Sequence, residues 1–223
     1  MKKRKTGRRP TRARCAVRSV AVMLCTLLVC NILGGGHLTR MMALRDGKQR
    51  YGVYEKTHEL ASLPAGNIRK TLRVTLMVSE NVTYCGASNF YALLGWQEAS
   101  GSVLDCSDGE RVHAGCWSMV SGHGMNRALF YWGRIDDAAV GRAEIVRRHV
   151  RYKDNEFVAE TAAVTPLELI EDGGHRYFLA GGPIAEQGFR DSGYDEYDLV
   201  GYDSGDNEVL RYEFGTTLSS SYS

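Results

Sequence analysis

DLVGYDSGDNEVLRYEF, residues 198–214, reads as a single β-hairpin. Two short runs rich in β-branched and aromatic residues flank Asp203-Ser204-Gly205-Asp206-Asn207, a five-residue loop of turn formers. The second run places Leu210, Tyr212 and Phe214 on one face, the period of two that a half-buried strand requires. The same signature recurs upstream. In residues 72–78, Leu72, Val74, Leu76 and Val78 alternate with Arg73, Thr75 and Met77. Residues 128–135, ALFYWGRI, carry the aromatics that suit a pleated surface. Asp136-Asp137 then reads as a turn, 143–150 as the next strand, and 156–164 and 176–180 as further strands. Gly173-Gly174 and Gly181-Gly182-Pro183 punctuate them. Short strands separated by turns, with 25 glycines in the chain and no helical period of ten residues after Asn67, predict an all-β antiparallel domain of sandwich type over 68–215.

The N-terminal part is of another kind. Residues 19–39, SVAVMLCTLLVCNILGGGHLT, hold no formal charge. At about 1.5 Å per residue, roughly twenty residues reach the ~30 Å hydrocarbon thickness of a bilayer. A helix apolar all round is not a core helix of a soluble domain. Ahead of it stand Lys2, Lys3, Arg4, Lys5, Arg8, Arg9, Arg12, Arg14 and Arg18. Positive flanks stay on the cytoplasmic side. The expected arrangement is a basic cytoplasmic tail (1–18), a transmembrane signal anchor (19–39), a connector (40–67) with a short helix near 54–61, the outer β domain (68–215), and a frayed Ser/Thr-rich end (216–223). Two alternatives stay open: cleavage near Gly36–His37 as a signal peptide, and a lipoprotein signal at Leu27-Leu28-Val29-Cys30, from which Val29 departs because such boxes place a small residue before the cysteine.

Charge is segregated. Residues 1–45 carry eleven Lys or Arg and no acid, leaving 17 bases against all 26 acids in the remainder, a net of −9 there. An acidic body argues against nucleic acid as a partner, since phosphate contacts need clustered cations. The expected partners are the membrane, through 19–39, and an envelope protein or the cell wall.

Several stretches resemble small membrane-anchored or secreted β-rich proteins of Bacillus-like and Clostridium-like bacteria. Leu94-Gly95-Trp96-Gln97-Glu98-Ala99-Ser100-Gly101-Ser102 is similar to their "GWKWxSGG" segment. Tyr131-Trp132-Gly133-Arg134-Ile135 and Ala143-Glu144-Ile145-Val146 resemble their "YGxI" and "xVEV" strands, and 201–209 their closing "GYDxxGxxx" hairpin. The resemblance implies an extracytoplasmic β domain and supplies no catalytic residues.

Candidate chemistry is sparse. The sequence holds no nucleophile elbow, zincin, P-loop or dinucleotide fingerprint. Cys106 and Cys116 flank a loop and could bridge, whereas Cys85 would then be left over. Cys106, His113, Cys116 and His123 offer zinc-type ligands, but without the tight C-x2-4-C knuckle of structural sites. Ser121-Gly122-His123-Gly124 could aim His123 at Cys116 as a nucleophile–base pair. Asp191, Asp195, Glu196, Asp198, Asp203, Asp206 and Glu208 form an acidic stretch of the kind calcium uses, without EF-hand order. Asn81-Val82-Thr83 matches a glycosylation triplet. Tyr84, Tyr91, Trp96, Trp117, Tyr131 and Trp132 could stack on sugar, though strand aromatics more often fill cores. No position earns assignment as catalytic, cofactor-binding or metal-ligating. The reading is a non-enzymatic, membrane-anchored envelope binding module, with an envelope hydrolase using Cys116 and His123, or a metal-dependent sensor, as alternatives.

Overall fold

The computed structural model describes residues 12–92, 94–120, 127–153, 156–182 and 193–214. Most of the basic tail and the whole of 216–223 lie outside the described residues. Among the described residues two helices, α1 (Arg12–Leu33) and α2 (Arg40–Arg50), precede twelve strands. The strands form three four-stranded antiparallel sheets.

The first sheet is a meander of β1 (His58–Pro64), β2 (Arg73–Val78), β3 (Val82–Tyr91) and β4 (Gly95–Asp105). The second sheet contains β5 (Val112–Val120), β6 (Arg127–Ile135), β9 (Ile170–Asp172) and β10 (His175–Gly182), in the order β5-β6-β10-β9. The third contains β7 (Arg142–Lys153), β8 (Glu156–Pro166), β11 (Gly193–Tyr202) and β12 (Glu208–Phe214), in the order β12-β11-β7-β8. The hairpin at 198–214 is β11–β12, with Leu199 opposite Tyr212. Leu210 and Phe214 are buried and Tyr212 packs against the same core, on the face that alternation indicates.

The second sheet lies between the other two and is covered on both faces. Leu129, Tyr131 and Ile135 of β6 join Ile145, Leu199 and Phe214 in one core. Their neighbours Ala128, Phe130 and Trp132 join Leu72, Val74, Leu76 and Val78 in the other. This explains why residues 128–132 read as a continuous apolar run: a strand covered on both faces has no polar side to show. The sandwich therefore has three β layers.

The outer face of the first sheet is covered by α2. Thr39 caps this helix, its Oγ1 accepting from the Met42 amide at 3.3 Å. Leu44 packs on Met77 and Tyr84, with Met41 and Val103 beside them. Arg40 at its start bonds both Glu59 oxygens, at 2.6 and 2.7 Å, as well as Ser62 and Thr75. Residues 40–67, read as a connector, thus hold a docked helix and a strand. The short helix near 54–61 does not form, because 58–64 pairs with β2.

The helical span expected at 19–39 sits instead at 12–33. The glycines end it: Gly35 takes a left-handed conformation (φ 67°), and the Gly36 amide reaches back to the Asn31 carbonyl at 2.8 Å. This is the six-to-one closure of a helix C-terminus. The helix's uncharged part, from Ser19 to Leu33, covers about 22 Å at 1.5 Å per residue. Among the described residues no helix is long and apolar enough to cross a membrane. The last turn of α1 is fixed to the β layers. Asn31 donates to the Leu94 carbonyl at 2.6 Å, Gln97 donates to the Gly34 carbonyl at 2.9 Å, and His37 pairs with Trp96.

Candidate functional site

One end of the middle sheet brings several ionisable groups together. Three segments meet there: the loop from Cys106 to Arg111 entering β5, the end of β6 with Asp136 and Asp137, and the β9–β10 turn. Arg134 organises them. It is 4% exposed and donates to the carbonyls of Glu80 and Cys106, each at 2.7 Å. Its Nε also meets Asp136 at 2.8 Å. Burial opposes the guanidinium charge, but the bond to Asp136 and the surrounding negative potential outweigh it, so its pKa is raised. The residue closes the β2–β3 turn and the loop after β4 onto the middle sheet.

Asp136 is shared. Its Oδ1 lies 2.6 Å from His175 Nδ1, and its Oδ2 lies 4.0 Å from His113 Nε2. His113, on β5 opposite Arg134, is buried with its side chain 5% exposed. Its Nε2 lies 3.3 Å from Asp108 Oδ1, yet that nitrogen has no hydrogen-bond partner. A buried polar atom in that condition costs about 1–3 kcal/mol. Asp108, Glu110 and His113 each offer one ligand atom, and these atoms lie within 4.8 Å of one another. A cleft of about 280 Å³ opens between the end of β6 and the β9–β10 turn, lined by Asp136, Asp172 and His175 among others. In it Arg176 pairs with Glu171, and its lining residue Asp137 pairs with Arg111.

Cys106 and Cys116 are both free thiols, as are Cys15, Cys25 and Cys85. The bridge considered between them is not formed. Cys106 contacts Thr83 Oγ1 at 3.4 Å, whereas Cys116 packs against the core between the second and third sheets. Zinc ligation by Cys106, His113, Cys116 and His123 as a set is not brought together either: the cysteines serve separate surroundings, and His123 lies outside the described residues. Burial raises the thiol pKa of both Cys106 and Cys116. A nucleophilic thiol needs the opposite shift.

The acidic stretch is dispersed among partners. Asp198, 1% exposed on its side chain, is held between Arg148 at 3.0 Å and Arg211 at 2.7 Å. Asp195 meets His149 at 2.8 Å, Asp206 meets Arg142 at 3.0 Å, and Glu208 meets Arg211. Asp203 closes the hairpin loop by accepting the Gly205 and Asn207 amides. Asp191 lies outside the described residues. Of the aromatics considered for sugar stacking, Tyr84, Tyr131 and Trp132 are buried.

Two exposed features stand apart from this cluster. Every described residue of α1 from 13 to 29 is exposed, including Val17, Val20, Val22, Met23, Leu24 and Leu28. All eleven residues of β8 are exposed, although β8 pairs with β7 along its whole length as the edge of the third sheet. The loop cluster at Asp108, Glu110 and His113 has no sequence motif. Only the Asp-Gly-Glu turn two residues before an alternating strand hints at it. Compared with known families, curated proteins and solved structures, the chain matches none of them.

Proposed function

We propose that the chain is a membrane-tethered binding module, with α1 in the bilayer, the N-terminus cytoplasmic and the three β layers outside. The observation that supports this is the exposed apolar surface of α1. A helix that carries no charge on any side from Ser19 to Leu33, and which is fixed to the β layers at its last turn, leaves an apolar surface that water does not stabilise. Its uncharged part is about 8 Å shorter than a ~30 Å hydrocarbon core. Arg14 and Arg18 supply the difference by reaching back to the headgroups along their methylene stems, so that the whole of 12–33, about 33 Å, is used. The nine cations up to Arg18 favour the inner face. The resemblance to extracytoplasmic β proteins agrees with this placement.

The partner in this reading is an extended segment of another envelope protein. An exposed edge strand offers unpaired backbone groups along one side, and strand addition uses them. β8, with Val158 and Val164 on its surface, is that edge.

Fractionation tests the tether. The full chain is expected in the membrane pellet after a high-salt wash that strips proteins held by charge alone. A Leu24→Lys, Leu28→Lys variant is expected in the supernatant. Release of the wild type by salt refutes insertion. Protection of the C-terminal half from protease added to intact cells refutes the orientation.

A further inference from the structure

The buried imidazole at the loop cluster has chemistry that the tethering role does not use. We infer that Asp108, Glu110 and His113 form a binding site for a first-row divalent cation of the zinc class, with Asp136 as a neighbouring carboxylate. Two independent observations carry this. The first is the convergence of the three ligand atoms within 4.8 Å of one another. The second is the His113 Nε2 itself, buried, without a hydrogen bond, and facing Asp108.

The spacing fits an ion. Zinc bonds nitrogen and carboxylate oxygen at about 2.0–2.2 Å in tetrahedral geometry, which separates adjacent ligands by about 3.4 Å. His113 Nε2 and Asp108 Oδ1 are 3.3 Å apart. The pair is thus at the edge length of a coordination tetrahedron while making no hydrogen bond to each other. Glu110 supplies a third ligand from the same turn. The fourth position faces solvent, because Asp108 and Glu110 are exposed, and would take water or a partner's side chain.

The ligand types choose the metal class. Imidazole nitrogen with two carboxylates favours zinc and its neighbours over calcium and magnesium, which prefer oxygen alone. Asp136 adds negative potential at 4.0 Å from the imidazole, and is itself oriented by Arg134 and His175. Such outer carboxylates commonly tune metal affinity. The net −9 of residues 46–223 favours a cation as well.

The test uses the full chain in detergent, stripped with chelator and titrated calorimetrically with Zn²⁺, with Ca²⁺ in parallel. One zinc per chain is expected, bound more tightly than calcium. Asp108→Asn and Glu110→Gln are each expected to weaken zinc by at least about tenfold, with circular dichroism unchanged because both positions are exposed. Asp203→Asn, a loop carboxylate outside the cluster, is expected to leave affinity as it was. The ¹⁵N resonance of the His113 Nε2 is expected to move on saturation. The inference is overturned by a wild-type chain with no saturable zinc, by unchanged affinity in both carboxamide variants, by equal loss in Asp203→Asn, or by calcium binding as tightly as zinc.

Discussion

Replacing Arg134 by Ala probes the joint between the first and second sheets. The side chain is 4% exposed and makes contacts to the Glu80 and Cys106 carbonyls at 2.7 Å and to Asp136 at 2.8 and 2.6 Å. Removing it leaves the Cys106 carbonyl buried without this donor and the Asp136 carboxylate without its guanidinium. A hydrogen bond to a charged group contributes about 1.5–3 kcal/mol, and breaking a buried pair from one side costs about 3–5 kcal/mol. The two losses overlap and do not add. Asp136 keeps His175 and is 19% exposed on its side chain, which permits partial rehydration. The expected destabilisation of R134A is therefore about 3–5 kcal/mol, with Arg134→Lys intermediate because an ammonium keeps the charge but not the planar fork. Urea unfolding followed by tryptophan fluorescence reads this, since Trp132 is fully buried in the adjoining core. A loss below about 1 kcal/mol in R134A would refute the assignment of Arg134 as the clamp.

Two further perturbations test the packing of α2 on β4. Gly→Ala in a helix interior ordinarily stabilises by about 1 kcal/mol, but Gly47→Ala is expected to destabilise: a Cβ there would come within 2.1 Å of the Glu98 carboxyl carbon, and Glu98 is held by the Tyr84 hydroxyl. Urea midpoints decide the sign. Burial raises the pKa of Glu98 against the opposing pull of Tyr84 and Arg50, so the folded state favours its neutral form. That contribution is fully present below the ordinary value of 4.5 and is lost as pH rises through the folded value. Glu98→Gln, which cannot ionise, is expected to gain stability relative to wild type across that interval. A relative gain for wild type would show that Tyr84 and Arg50 outweigh burial.

Much of the β architecture could be read in the residues because alternation is local. Residues 72–78, 128–135 and 198–214 each declare a strand through side chains within one segment. What was not readable depends on partners far along the chain. β3 and β5 contain Cys85-Gly86-Ala87 and Ala114-Gly115-Cys116, small residues with weak strand preference that leave room for large side chains of the same sheet: a Cβ on Gly86 would meet the Tyr84 ring at 2.6 Å. α2 was hidden because RMMALRDGKQR offers a narrow apolar stripe, and the glycine that looks like a helix breaker makes room for Glu98. The ionic cluster was hidden for the same reason. Asp108 and His113 are five residues apart, but Asp136 and Arg134 come from the next strand and His175 from a later hairpin. Spacing suggested Cys106 and Cys116 as partners of His113, whereas strand alternation turns Cys116 into the opposite core.

The fold also fixes where the two proposed surfaces lie relative to each other. α1 is joined to the start of β4, through Leu94 and Trp96. The loop carrying Asp108 and Glu110 follows the end of the same strand, at Asp105. Eleven residues of extended chain separate the two by about 30 Å. With the helix in the bilayer and β4 directed along the bilayer normal, the proposed cation cluster would stand several Debye lengths from the lipid surface, each about 8 Å at physiological salt. Headgroup charge cannot set the local ion concentration at that distance. Affinity there must come from the three ligands and from Asp136, whose position depends on the same Arg134 that closes the loop. The clamp that joins the first two sheets is thus also what holds the carboxylate beside His113, so loss of Arg134 should loosen both.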